Sequence, residues 1–169
     1  AVTCIHAPHP EEVGADRIAN AVAAEKLYGA PSIVVDFGTA TNIDVVDSDG
    51  YYIGGAIAPG LRISMDALVA RAARIASIPL ETPPHAIGRT TEEAVQSGAV
   101  LGTAAMVEGL VGRIRAELGA PEARVIATGG LANIVADSTN VFDVVDGQLT
   151  LKGICEIARR MRDRVPHTA

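Results

Sequence analysis

The chain has 169 residues, 49% of them hydrophobic, and a mean hydropathy of +0.27, which is enough to bury one ordinary core and too apolar for a disordered segment. A formal charge of −6, an isoelectric point near 5.1 and the lack of any long Lys/Arg run argue against a nucleic-acid partner. No stretch reaches the roughly 18 consecutive apolar residues of a spanning helix, and "AVTCIHAPHP" has neither a basic leader nor an apolar core of export length, so a cytoplasmic protein without a membrane partner is expected.

In chain order, "PEEVGADRIANAVAAEKLYG" reads as a helix whose start is signalled by Gly14 and Asp16 and whose end is signalled by Gly29 and Pro31. Ile33 to Val35 reads as a buried strand, Asn42 to Val46 as a second, and Tyr51 to Ile53 as a third after the Asp49-Gly50 turn signal, an antiparallel meander. "GGAIAPG" reads as a glycine-rich bend. Leu61, Met65, Leu68, Ala72 and Ile75 then recur at helical spacing up to Pro79, and "PLETPPHAIG" is a loop.

From Thr91 to Leu118 a long helix carries two stripes. One holds Val100, Ala104, Val107, Val111, Ile114 and Leu118; the other holds Gly98, Gly102, Ala105, Gly109 and Gly112. Glycine costs a helix about 1 kcal/mol relative to alanine, so the small face implies close approach by another helix, from this chain or from a second subunit. Strand Val125 to Ala127, a "TGG" loop, helix Leu131 to Ala136, strand Val141 to Val145 and helix Leu151 to Met161 complete a single α/β domain, a sheet covered by helices. Cys4 and Cys155, far apart in apolar surroundings, read as reduced thiols.

The chemical signals lie at the strand ends. In "DFGTAT", Asp36 ends an apolar strand, Gly38 permits tight geometry, and Thr39 and Thr41 bring hydroxyls. That set serves either as an ordinary turn or as a cradle for phosphate oxygens with a carboxylate for a cation. "ATGG", with Gly129 and Gly130, is either a plain helix start or a place where a nucleotide lies on backbone donors. Asp16 in "GADR" is either a helix N-cap or a general base, with Arg17 offering a fork to a carboxylate. Thr90 or Thr91 caps the long helix. His6 and His9 have metal-pair spacing, but Pro8 intervenes and no acid or cysteine cluster supports them.

Taken in order, "GADRIANAVAA", "VVDFGTAT", "GGAIAPG", "IGRTTEEAVQSG" and "IATGGLA" closely resemble the type III pantothenate kinases of the actin-like ATPase superfamily, over about Pro10 to Ile157. The resemblance implies a ribonuclease H-like α/β domain, its mixed sheet beginning with the three-stranded meander and flanked by helices. It implies ATP-dependent phosphorylation of pantothenate, the first step of coenzyme A synthesis.

By motif, Asp16 is implied as the general base, and Gly14, Ala15, Asp16 and Arg17 as the pantothenate wall, with Thr91 as a further substrate contact. Asp36 matches the carboxylate of a monovalent cation site for potassium or ammonium. Gly38 and Thr39, together with Gly129 and Gly130, match the side that meets ATP, which brings a divalent cation such as magnesium. The family implies a homodimer with pantothenate near the subunit boundary. Family members also carry an Asp-x-Gly-Asn-Thr phosphate loop in a first domain, and nothing in "AVTCIHAPHPEEV" resembles it. The expectation is therefore that residues 1–169 correspond to the C-terminal half of a two-domain kinase, without one wall of the ATP site. The rival reading is a non-catalytic ligand-binding or transcription accessory protein built on the same fold.

Overall fold

The structure is a computed structural model that describes residues 5–71 and 78–163. After a short 3-10 turn at Pro10–Glu12 come α1 (Ala15–Tyr28), β1 (Ser32–Phe37), β2 (Ala40–Val46), β3 (Tyr52–Pro59) and α2 (Leu61–Arg71). Then follow α3 (Thr91–Gln96), a π-helical segment (Ser97–Leu101), α4 (Gly102–Leu118), β4 (Arg124–Thr128), α5 (Ala132–Ala136), β5 (Val144–Val145) and α6 (Leu149–Arg162).

The sheet has five strands in the order β3-β2-β1-β4-β5. β1, β2 and β3 form the antiparallel meander, while β4 pairs parallel with β1 and β5 parallel with β4. Alternation along β1 sorts the two layers. Ile33, Val35 and Phe37 face Leu61, Met65, Val100, Ala104, Val107, Val111 and Val135. Val34 faces Ala23, Ala24 and Leu149 on the opposite side, so α1 and α6 cover one face and α2 to α5 the other. Each such large apolar side chain stabilises the fold by roughly 2 kcal/mol when fully buried.

Several boundaries differ from the sequence reading. "GGAIAPG" is not a bend up to Pro59: Gly54 to Pro59 belong to β3, and Ala40↔Pro59 through Asp44↔Gly55 are register pairs. The glycines there allow close approach, since a Cβ at Gly55 would overlap the Ile43 carbonyl oxygen. The turn comes at Gly60, pressed against the Thr39 carbonyl. β5 begins at Val144 rather than Val141, because the Asp143 carboxylate takes the Val125 N–H at 2.8 Å in place of a main-chain acceptor.

The long helix is interrupted by the π segment, and Thr90 caps it by accepting the Glu93 N–H at 3.1 Å, which leaves Thr91 outside the capping role. Its valine stripe is buried, whereas Gly98, Gly102, Ala105, Gly109 and Gly112 all face outward. A Cβ at any of those four glycines would meet nothing within 4 Å. By length and composition alone the run Thr91–Leu118 is apolar enough to cross a membrane; here its valine face covers the sheet. Cys155 is exposed and unbridged, while Cys4, Ala72 and Ile75 lie outside the described residues.

Candidate active site

The site is built at the ends of the two central parallel strands. Asp36, one residue before the end of β1, shares a register row with Thr128 of β4 and Asn42 of β2. Strand alternation therefore turns it toward α1, where Asn20 Nδ2 donates to its Oδ2 at 2.9 Å. Its other oxygen faces the loop after β4. A Cβ at Gly129 would stand 2.6 Å from both Asp36 Oδ1 and the Phe37 carbonyl oxygen, and Gly129 has φ +93°, so glycine is required there on two counts. Gly38 is close as well, its Cβ position lying 3.8 Å from Asp36 Oδ1. Burial raises the Asp36 pKa above the ordinary carboxylate range; the Asn20 hydrogen bond opposes this and the negative charge of Asp16 adds to it.

Asn20 follows Asp16 by one helical turn, so its bond to Asp36 sets the start of α1 beside the end of β1. Asp16 is not the N-cap of α1: Gly14 holds that position without a side-chain cap, and Asp16 lies in the first turn, exposed, folded back over Gly14. A Cβ on Gly14 would come within 2.6 Å of Asp16 Oδ1, so the carboxylate folds over the bare Gly14 backbone. Ala15 is exposed beside it. Arg17 points inward. Its Nε and Nη2 both lie 2.7 Å from Asp44 Oδ1, and its guanidinium sits 5.7 Å from the Tyr52 ring centroid. Asp44 has no exposed surface, and burial raises its pKa against the lowering effect of Arg17.

Gly38 and Thr39 form the tight turn between β1 and β2, closed by the Gly38 N–H on the Ala40 carbonyl at 3.0 Å, with both residues exposed. Gly130 is exposed across from them, with open space where a side chain would be. Thr41 does not join them. It pairs with Phe37, points into the opposite layer and is 1% exposed, because each step along a strand reverses the face.

Thr91 is also separated from Asp16. It lines a cleft of about 460 Å³ between α2 and α3 with Ser64, Met65 and Val95, on the face of the sheet away from α1. A cleft of about 470 Å³ between β3 and α4 is lined by Ile53, Gly55, Leu110 and Ile114 and likewise does not include Asp36. His6 stacks on Tyr51 with centroids 3.9 Å apart, and His9 groups with Glu11 and Glu12 in an exposed cluster that excludes His6.

Asn20, Asp44 and Thr150 belong to the site's support and were not singled out from the sequence. Asn20 had a signal, since it follows Asp16 by one helical turn and shares its face. Asp44 had one too, as an acid at an inward position of an apolar strand. Thr150 had none.

Asp36 Oδ1 and the Phe37 carbonyl oxygen both lie beside Gly129, and a carboxylate with a carbonyl is the oxygen donor chemistry a hard cation takes. The exposed backbone of Thr39 and Gly130 beside them suits an anion.

A family model described as type III pantothenate kinase matches residues 3–113. Curated relatives of that name include a protein of Thermomicrobium roseum, 57% identical over 93% of this chain and 60% of its own length. Another, from Paramagnetospirillum magneticum, is 52% identical over 89% of this chain and 58% of its own length. The chain thus spans about three fifths of the length of these relatives. Among solved structures, a Campylobacter jejuni protein described as a Baf family transcriptional activator superposes with a TM-score of 0.63 at 21% identity, covering 91% of this chain and 67% of that one. The activator of 2-hydroxyisocaproyl-CoA dehydratase from Clostridium difficile superposes at 0.53 and 13% identity, over 91% of this chain and 71% of that one. These two likenesses speak to the fold.

Proposed function

Since the chain belongs to the type III pantothenate kinase family, we propose that the protein transfers the γ-phosphoryl group of ATP to the primary hydroxyl of pantothenate. One observation carries the reading: Asp36 and the Gly129 loop meet in a cradle at the ends of β1 and β4, and Asn20, one helical turn after Asp16 on α1, bonds Asp36 at 2.9 Å. Phosphoryl transfer depends mainly on positioning and charge neutralisation, and this cradle supplies both without a protein nucleophile.

In this reading Asp16 accepts the hydroxyl proton as the pantothenate oxygen bonds to the γ-phosphorus and ADP leaves with the broken P–O bond's electrons. Gly14 and Ala15 bound the acceptor beside it, and Arg17, turned inward and compensated by Asp44, braces that wall from behind. Thr39 with its hydroxyl and Gly129 and Gly130 with their backbone line the phosphates, and Gly38, its own N–H closed on Ala40, lets the chain pass close to them. Asp36 Oδ1 and the Phe37 carbonyl hold a monovalent cation, potassium or ammonium, which neutralises phosphate charge when bound; magnesium accompanies ATP.

Thr91 contacts pantothenate from a second copy of the chain, because its own sheet separates it from Asp16 in one copy. The bare glycine stripe of α4 supports such a homodimer. The remaining length of the relatives supplies the opposing phosphate-loop domain, this chain being the C-terminal half, and the setting is the cytoplasm.

The test is ADP release by the full-length gene product with pantothenate, ATP and potassium. Asp16→Asn is expected to lower kcat by about 10²–10⁴-fold with an unchanged unfolding midpoint; wild-type turnover in that variant overturns the base. Absence of turnover in the wild type together with retained pantothenate binding favours the non-catalytic rival.

A further inference from the structure

We infer that Thr150 of α6 is a positioning residue for the cation-binding carboxylate, acting through Asn20, in a hydrogen-bonded relay Thr150–Asn20–Asp36 that joins α6, α1 and β1. Thr150 Oγ1 lies 2.7 Å from Asn20 Oδ1, and Asn20 Nδ2 lies 2.9 Å from Asp36 Oδ2. Asn20 has no exposed surface, so neither end of its amide has water as a substitute partner.

The direction of the relay follows from donor and acceptor chemistry. An ionised carboxylate only accepts, so the Asn20 NH₂ must face Asp36. The amide oxygen is thereby turned to Thr150, whose hydroxyl must donate. One threonine hydroxyl thus fixes which way the amide points, and the amide fixes Oδ2 of Asp36, leaving Oδ1 aimed at Gly129 and Gly38.

An independent feature holds the relay at length. One turn further along α6, Gly153 packs on α1 so closely that a Cβ would overlap the Ala19 carbonyl oxygen. Ala19 adjoins Asn20, so this contact sets the spacing between the two helices where the Thr150 bond forms. Without the hydroxyl, Asn20 Oδ1 is a buried acceptor with no partner, and the amide gains by rotating away from Asp36.

The inference rests on the kinase reading for its consequence and on geometry alone for its existence, and the experiment separates the two. In the full-length protein, Thr150→Val, Thr150→Ala and Thr150→Ser are compared by NMR of the Asn20 side-chain amide and by steady-state kinetics. Both Val and Ala variants are expected to shift the Asn20 amide resonances and speed their hydrogen exchange at least tenfold, while Ser keeps them as in the wild type. Ligand-orienting partners typically matter by roughly 10–100-fold. Accordingly, the potassium concentration for half-maximal activity should rise about tenfold in Thr150→Val, with little change in the KM for pantothenate, and Ser should restore it. Unchanged Asn20 resonances in both Val and Ala overturn the relay. So does a kinetic loss that Ser fails to restore, which marks a packing role. If the wild type shows no turnover, the kinase reading fails while the amide measurements still judge the relay.

Discussion

Arg17 and Asp44 form an ion pair in which the acid has no exposed surface and the guanidinium is 15% exposed. Removing one partner from such a pair costs about 3–5 kcal/mol, because the other is left buried and uncompensated. Arg17→Met is therefore expected to lower the urea-unfolding free energy by about 3 kcal/mol, and adding Asp44→Val should recover most of it. The pH dependence has a definite sign. Burial raises the folded pKa of Asp44, so its contribution to stability is full below the unfolded value and falls as pH rises through the folded one. Without Arg17 that pKa rises further, and the Arg17→Met penalty should shrink as the pH is lowered; a penalty that is flat or grows in acid contradicts this account. At the loop after β4, Gly129→Ala places a methyl group 2.6 Å from Asp36 Oδ1 on a positive-φ backbone, and loss of ADP release together with lowered stability is the expected result.

Among elements, one acid takes a large share in attaching α6. Asp146 follows β5 and accepts hydrogen bonds from Tyr28 Oη at 2.7 Å, Lys152 Nζ at 2.8 Å and the Gln148 N–H at 3.1 Å. It thus joins the end of α1 to the start of α6. Burial pushes its pKa up, yet the bonds from Lys152, Tyr28 and Gln148 outweigh burial and hold it below the ordinary range. A depressed carboxylate stabilises the fold above its unfolded pKa and loses that contribution as pH falls through the folded one. Tyr28, by burial and by its bond to Asp146, is pushed up to about 12, so it remains a donor throughout the neutral range. Tyr28→Phe should cost about 1.5 kcal/mol, as for a hydrogen bond to a charged group, and flatten the stability profile below about pH 4, near the unfolded carboxylate value. Urea titrations at neutral and acid pH measure both effects.

For the whole molecule, the outward stripe of α4 bears on assembly. Its glycines touch nothing in one copy of the chain, so filling them should not disturb the monomer and should improve helix propensity by up to about 1 kcal/mol per position. Gly109→Leu is expected to convert the proposed dimer to a monomer in sedimentation velocity while preserving the fold. A variant that stays dimeric removes the stripe from the proposed interface. At this scale the sequence also shows its reach. Alternating and helical spacings revealed the meander, the helix pair around β4 and the two stripes, because those patterns record local geometry repeated along the chain. They failed where glycine had a tertiary use: "GGAIAPG" read as a bend because glycine breaks strands locally, whereas in the sheet it permits β3 to lie close to Ile43. They failed again at Thr41, which stands beside Thr39 in sequence and on the other side of the sheet in space.

The sequence by itself determined the α/β architecture and the acid-and-glycine turns, since each depends on short-range spacing, and its five motifs in order carried the family resemblance. Only the tertiary structure decided that the helix carrying Asp16 is bonded to Asp36 through Asn20, that Arg17 is held by Asp44, that Thr91 lies on the far face, and that Thr150 reaches Asn20 from α6. Those relations join residues up to 130 positions apart, and no local pattern encodes which buried donor meets which buried acceptor until the helices have packed on the sheet.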